Sequence, residues 1–147
     1  MLSPSWRLSS CWNPATAATD APEPICKSGI TPAVMGNITW IPVSTRQQID
    51  DMAVRSETLP CLILKHSTTC SISAMAKYRL EDDWSFGTDE LEAYYLDLLS
   101  HRDVSAYISE KFSVHHESPQ ILLIRNGECF FDASHFDITV SEIREAL

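Results

Sequence analysis

The sequence predicts an α/β domain in which helices flank a central mixed sheet. From residue 38 onward, apolar runs alternate with segments of helical periodicity, the pattern of parallel strands joined by helical crossovers. The run LPCLILKH, residues 59 to 66, is apolar on both faces, as a central parallel strand is. Asn126-Gly127 separates two further apolar runs and predicts a hairpin. The hairpin adds an antiparallel edge, which makes the predicted sheet mixed.

The first two strands are predicted to enclose a helix. Residues 38 to 43, ITWIPV, form the first predicted strand, and Ser44 after it is a candidate N-cap. The apolar residues of the next segment recur at helical spacing, at Ile49, Met52 and Ala53. The second strand, residues 59 to 66, follows this helix.

A second helix is predicted to begin near Cys70. Ile72, Ala76 and Leu80 form its apolar stripe, with Met75 beside them. Residues 91 to 99, LEAYYLDLL, are rich in Tyr and Leu, and the polar segments on either side favour a short strand. A third helix follows, because apolar residues then recur four apart, at Val104, Ile108 and Phe112.

The chain closes with the hairpin QILLIRNGECFFDAS, residues 120 to 134, and an amphipathic helix in ITVSEIREAL, residues 138 to 147. The full order is strand, helix, strand, helix, strand, helix, strand, strand, helix. This is the order of thioredoxin-like folds. Because a fold alone does not fix a function, the residues of the site must indicate the chemistry.

The first 34 residues differ in composition from the rest. They contain five of the eight prolines and show no apolar periodicity, so residues 1–34 are predicted to be a disordered extension. Met35 is a candidate start of translation. The thioredoxin-like domain is predicted to span residues 35–147.

Charge and cysteine content narrow the classes of partner. The formal net charge of −9, with no cluster of Lys or Arg, argues against nucleic acid, and no stretch reaches the roughly 18 to 20 apolar residues of a membrane-spanning helix. The five cysteines include no C-x-x-C pair and are odd in number. That usage favours free thiols in a reducing cytoplasm over a disulfide scaffold or a zinc site.

Cys70, in the stretch KHSTTCSIS, is the candidate nucleophile. It lies where the central strand gives way to a helix, at the sheet edge where α/β proteins place their ligands. Unpaired amides and the helix dipole favour the thiolate there, and the thiolate is the reactive species. Thr68, Thr69 and Ser73 are predicted to donate hydrogen bonds to it. Ser73 stands where a dithiol enzyme has its second cysteine, so the sequence predicts a monothiol exchange.

Other cysteines and histidines are assigned lesser roles. Cys61 is predicted to be a core residue, and Cys129 a structural one, with a resolving role left open. His66, His115, His116 and His135 suggest a metal, but adjacent histidines in a strand point to opposite faces and no other ligand spacing completes a site. No metal is therefore predicted.

A second candidate segment lies in HHESPQ, residues 115 to 120. Proline is the residue before which a cis peptide is affordable, and Pro119 directly precedes a strand. A cis Ser118-Pro119 bond would turn the backbone of Ser118 toward an extended thiol ligand. His116 and Glu117 complete this predicted ligand-binding segment, and one or the other is predicted to tune the protonation of Cys70.

These motifs together resemble the YtxJ proteins, which are the monothiol bacilliredoxins of the bacillithiol system and are also called general stress proteins in bacteria. The resemblance rests on four segments and covers about residues 38 to 140: KHSTTCSIS, YYLDLLSHRDVS, HHESPQ and LLIRNGECFFDASH. It implies a thioredoxin-like fold, Cys70 as the nucleophile, Pro119 as the cis-proline and bacillithiol as the thiol co-substrate, with no other cofactor. Many relatives have proline where this chain has Ser71.

The resemblance also implies the partners. S-bacillithiolated proteins would be the clients, and Lys65, Lys77 or Arg125 would hold the carboxylates of the bacillithiol malate. The first hypothesis is therefore a thiol-disulfide oxidoreductase that removes bacillithiol through Cys70. The alternative from another class is a stress-associated binding protein that uses the same scaffold without turnover.

Overall fold

The computed structural model describes residues 37–147, which form a five-stranded mixed sheet with helices on both faces. The predicted extension at residues 1–34 and the candidate start at Met35 lie outside the described residues. Among those described, no helix is long and apolar enough to cross a membrane. The elements in chain order are β1 (Ile41–Val43), α1 (Arg46–Arg55), β2 (Cys61–His66), α2 (Ser71–Asp83), β3 (Glu92–Asp97), α3 (Arg102–Lys111), β4 (Gln120–Arg125), β5 (Glu128–Ser134), a 3-10 helix (His135–Asp137) and α4 (Val140–Ala146).

β2 is the central strand of the sheet, whose order is β1-β3-β2-β4-β5. It runs parallel to β3 and antiparallel to β4, and β5 pairs with β4 as a hairpin. All six residues of β2 are buried. The predicted order of elements, the central strand and the mixed sheet are thus confirmed.

Two cores lie on opposite faces of the sheet. Leu62 and Leu64 of β2 pack in one cluster with residues of α2 and α4. Ile63, one position along the strand, packs in the other cluster with residues of α1 and α3. Successive side chains of a strand point to opposite faces, so a strand buried on both sides must be apolar throughout. The first four residues of β2, Cys61 to Leu64, meet that requirement, whereas Lys65 and His66 are buried polar residues at its end.

The hairpin turn between β4 and β5 has the predicted position. Asn126 and Gly127 have φ angles of 53° and 76°. Two positive φ angles match a type I′ turn, whose twist fits that of the two strands. The turn therefore fixes the register of the edge strand.

Two helix details differ from the sequence prediction. α1 is capped by Thr45 and not by Ser44, because Thr45 and Gln48 form a capping box: the Thr45 side chain accepts from the Gln48 amide, and the Gln48 side chain accepts from the Thr45 amide. In α2, Ile72 and Met75 are exposed, by 43% and 63%. The buried positions of α2 are Ser73, Ala76 and Leu80.

Candidate active site

Cys70 is the N-cap residue of α2, as the sequence predicts. Its extended backbone, with φ −102° and ψ 120°, ends a turn in which the Cys70 amide donates to the carbonyl of Ser67 over 3.2 Å. The thiol is free and partly exposed. No side chain caps the helix at this position. Since the first-turn amides of a helix lack intrahelical partners, they are available to a negative charge at Cys70.

Ser73 supports the turn that carries Cys70 and not the sulfur itself. Its fully buried hydroxyl accepts from the Ser67 amide over 3.0 Å and lies 2.7 Å from Nδ1 of His66. The prediction that Ser73 donates to the Cys70 thiolate is therefore wrong, because Ser73 is on the face of α2 that packs on the sheet. Thr68 and Thr69 are exposed and make no hydrogen bond to Cys70, so their support of a thiolate stays a prediction.

The segment before β4 lies at the same edge of the sheet. β4 is antiparallel to β2, and Lys65 near the end of β2 pairs with Gln120 at the start of β4. The Ser118-Pro119 peptide is cis, as predicted from the sequence. The Ser118 hydroxyl is buried without a hydrogen-bond partner among the described residues. Its role in binding a ligand stays a prediction.

Gln120 holds this segment in place. Its side-chain amide donates to the carbonyl of His115 over 2.8 Å, and its side-chain oxygen accepts from the backbone amide of Glu117 over 3.3 Å. The same oxygen accepts from the ammonium of Lys65 over 3.1 Å. A buried lysine therefore orients the glutamine that fixes the backbone on both sides of His116.

Lys65 is fully buried on the face of β2 opposite to α2, where its ammonium also donates to the hydroxyl of Ser109 in α3 over 2.9 Å. Both of these hydrogen-bond partners are neutral. Burial lowers the pKa of Lys65 to about 8, against the weaker opposing effect of Asp132. Lys65 was predicted as a candidate cation for the bacillithiol carboxylates, and its place inside the apolar run of β2 was the signal of its burial.

We expect the stability of the protein to rise with pH through Lys65. Above about pH 8 the folded protein releases a proton that the unfolded chain keeps until its ordinary pKa, so the penalty of the buried charge is relieved as the pH rises. Relative to Lys65→Met, the wild type should gain about 1 kcal/mol in free energy of unfolding between pH 7 and pH 9, measured by urea denaturation.

Lys111→Met is the matched control for that comparison. Asp50 raises the pKa of Lys111, so its charge is kept in both states over this range and no such gain is expected. An equal gain relative to both variants would contradict the assignment to Lys65.

Cys61 and Cys129 have different surroundings. Burial raises the pKa of Cys61 to about 12 and that of Cys129 to about 11, so both stay protonated at neutral pH. Each pairs with Ile124, at the end of β2 away from Cys70. Five residue steps of about 3.3 Å place that end roughly 16 Å from the other, whereas disulfides need Cα atoms within about 7 Å. Neither cysteine can resolve a Cys70 disulfide in this fold.

The cations predicted to hold carboxylates are all engaged elsewhere. Lys65 is buried beneath α3, and Lys77 pairs with Glu81 over 2.5 Å. Arg125 lies at the hairpin end of β4, where it donates to the carbonyl of Leu147. The assignment of malate binding to these three residues is not supported by their positions.

His66 and His116 differ in their surroundings. Burial and the nearby Lys77 lower the pKa of His66, which lies beneath α2. Partial burial and Lys65 lower the pKa of His116, whose Nδ1 is 3.4 Å from the Ser105 hydroxyl. Both rings are therefore neutral at pH 7. Within residues 37–147, no three His, Cys, Asp or Glu residues are placed to hold a metal ion.

The fold and the free cysteine at the start of α2 define a thioredoxin-like thiol-disulfide oxidoreductase. Residues 41–143 match the family described as monothiol bacilliredoxin BrxC. The chain belongs to this family.

Solved structures agree on the fold. One protein, described as an inferred oxidoreductase with a thioredoxin fold, is 34% identical with a TM-score of 0.64, covering 73% of this chain and 92% of that one. Thioredoxin from Trypanosoma brucei brucei matches with a TM-score of 0.57 at 14% identity, covering 76% of this chain and 89% of its own. Oxidised thioredoxin from Plasmodium falciparum matches with a TM-score of 0.56 at 14% identity, covering 73% of this chain and 96% of its own. At such low identity, the two thioredoxins support the fold alone.

Proposed function

We propose that this protein removes bacillithiol from S-bacillithiolated proteins through nucleophilic attack by Cys70. The observation that carries the proposal is the position of Cys70: a free, partly exposed thiol at the uncapped start of α2. The helix amides favour its thiolate, and partial exposure leaves room for a protein-bound disulfide. Membership of the bacilliredoxin family supports bacillithiol as the co-substrate.

The reaction is a thiol-disulfide exchange. The Cys70 thiolate attacks the bacillithiol sulfur of the mixed disulfide, a new S–S bond forms, and the client leaves as a thiolate that takes up a proton. The client is reduced, and Cys70 is left in a mixed disulfide with bacillithiol. A second thiolate, from an external low-molecular-weight thiol, then attacks the bacillithiol sulfur of that disulfide, which forms a disulfide between the two small thiols and releases the Cys70 thiolate.

The monothiol route is supported by what lies near Cys70. The position one turn along α2 is Ser73, whose hydroxyl is committed to Ser67 and His66. Cys61 and Cys129 lie at the far end of the sheet. Among the described residues, no second thiol can displace bacillithiol from Cys70, and in this proposal the resolving thiol comes from solution.

The wider setting belongs to the same proposal. We place the protein in the bacterial cytoplasm, where thiols are kept reduced, with bacillithiolated proteins as its clients. The chemistry needs no metal and no bound cofactor, because the electrons come from the thiols themselves. The net charge of −9 makes nucleic acid and anionic membrane surfaces poor partners.

A trapped adduct tests the proposal. After incubation with a bacillithiolated client and without any added thiol, we expect the intact mass to rise by one bacillithiol. Peptide mapping should place the modification on Cys70, with Cys61 unmodified because it is buried and protonated. A client that stays modified together with an unmodified Cys70 would contradict the proposal and favour the binding protein without turnover.

A further inference from the structure

An open pocket of about 520 Å³ lies beside α3, and the cysteine chemistry described above leaves it without a role. Its lining includes the apolar side chains of Leu98 and Leu99, from the loop after β3, and Ala106 from α3. Arg102 and His116 add polar groups from two different segments. Volumes of roughly 300 to 1,000 Å³ with mostly apolar walls and a few convergent polar groups are typical of small-molecule sites.

The pocket adjoins the edge of the sheet that carries Cys70. The amide of Leu98 donates to the carbonyl of His66, the last residue of β2, over 3.0 Å. On the other side, His116 stands two residues before Ser118, in the segment that leads into the cis peptide. The pocket walls therefore flank the end of β2, and Cys70 follows four residues beyond that end.

Two cations lie at this pocket although the chain is acidic overall. Within residues 37–147 Arg102 makes no ion pair, so its guanidinium is available to a ligand. Behind the wall, the Lys65 ammonium donates to the hydroxyl of Ser109, which lines the pocket. Asp97, at the end of β3 directly before Leu98, accepts from the Leu99 amide and the Ser100 hydroxyl. One free cation and one buried cation favour an anionic ligand.

We propose that this pocket binds the part of the low-molecular-weight thiol that carries its carboxylates, with a carboxylate on Arg102 and the sulfur directed toward Cys70. The inference rests on the proposed function, because it assumes that a mixed disulfide of an anionic thiol is the substrate. It replaces Lys65, Lys77 and Arg125 with Arg102 as the residue that recognises the ligand. Lys65 acts through Ser109 and Gln120 as a positioning residue.

Two substrates that differ only in the thiol test the role of Arg102. One client protein is prepared as a mixed disulfide with bacillithiol and as a mixed disulfide with uncharged 2-mercaptoethanol. Arg102→Gln should lower kcat/KM about fivefold on the bacillithiol substrate, the size of one exposed charge pair, and leave the 2-mercaptoethanol substrate unchanged. Arg102→Lys should recover part of the loss, because it restores the charge without the bidentate geometry.

Arg55→Gln is the matched control. It removes the same charge from the end of α1, beside Glu92 at the start of β3, away from the pocket. Its activity on both substrates should equal that of the wild type. An equal loss on both substrates for Arg102→Gln, or no loss on either, would overturn the inference.

A binding measurement separates this inference from the proposed function. S-methyl bacillithiol cannot exchange disulfides, and in NMR titrations of the full chain it should shift the amides of Leu98, Ala106 and His116. Absence of turnover on both substrates with these shifts present would sink the proposed function and leave the pocket assignment standing. If turnover is seen but the amide shifts are confined to Ile72 and Met75, on the exposed face of α2, or no amide shifts at all, the pocket assignment is overturned and the proposed function stands.

Discussion

Cys70→Ser should lower the rate at which bacillithiol is released from a client protein by at least roughly three orders of magnitude. A serine hydroxyl is almost fully protonated at neutral pH, and its oxygen cannot form the mixed disulfide on which the exchange depends. Release of the client thiol, followed by mass spectrometry of the client, measures the rate. Activity close to that of the wild type would remove Cys70 from the mechanism.

The fold of this variant should remain intact, so the loss can be assigned to chemistry. Cys70 is the N-cap of α2 and makes no side-chain capping hydrogen bond there. Serine is among the preferred N-cap residues, because its hydroxyl accepts from an amide in the first turn. Unfolding by urea should therefore show a stability equal to or slightly above that of the wild type.

Alanine variants of the other two described cysteines test the monothiol route. Cys61→Ala and Cys129→Ala remove thiols that lie at the far end of the sheet. Each should keep the rate within about twofold of the wild type, since single-turnover chemistry at Cys70 involves neither. Accumulation of a disulfide between Cys70 and the client in Cys129→Ala would point to a dithiol route. That result would contradict the separation of Cys70 and Cys129 in this fold.

The order of the elements could be predicted because each one has a local signature. The apolar run of β2, the Asn126-Gly127 turn and the spacing of Val104 and Ile108 in α3 all depend on residues close in sequence. The position of Cys70 follows from the same kind of signal, a strand that ends just before a helix. Pro119 could be predicted as the residue after a cis peptide bond because cis bonds occur almost only before proline.

The surroundings of the site could not be predicted, because they depend on contacts between distant segments. Lys65 meets Ser109 across 44 positions and Gln120 across 55. Strand alternation shows that Lys65 faces the same side as Ile63, but it does not show which helix covers that side. The pocket at Arg102 depends on the same packing of α3 over β2 and on the segment before β4. Only the tertiary structure brings those three together.

Helix phase explains the error in α2. The sequence shows apolar residues on two adjoining stripes, and periodicity alone does not decide which stripe is buried. The helix begins after Cys70, and from that start Ser73, Ala76 and Leu80, spaced by three and four residues, face the sheet. The hydroxyl of Ser73 is accommodated there because Ser67 and His66 bond to it. Because the buried face of a helix is predicted from its apolar residues, a buried serine such as Ser73 is missed.

Leu80→Ala and Met75→Ala should therefore differ strongly in stability. Leu80 is fully buried in the core cluster between α2 and the sheet, whereas Met75 is 63% exposed. Truncating a buried leucine leaves a cavity and should cost about 3 kcal/mol of free energy of unfolding. The exposed methionine should cost less than about 0.5 kcal/mol. Urea denaturation of the two variants, followed by circular dichroism, gives both values, and equal losses would show that Met75 is buried as fully as Leu80.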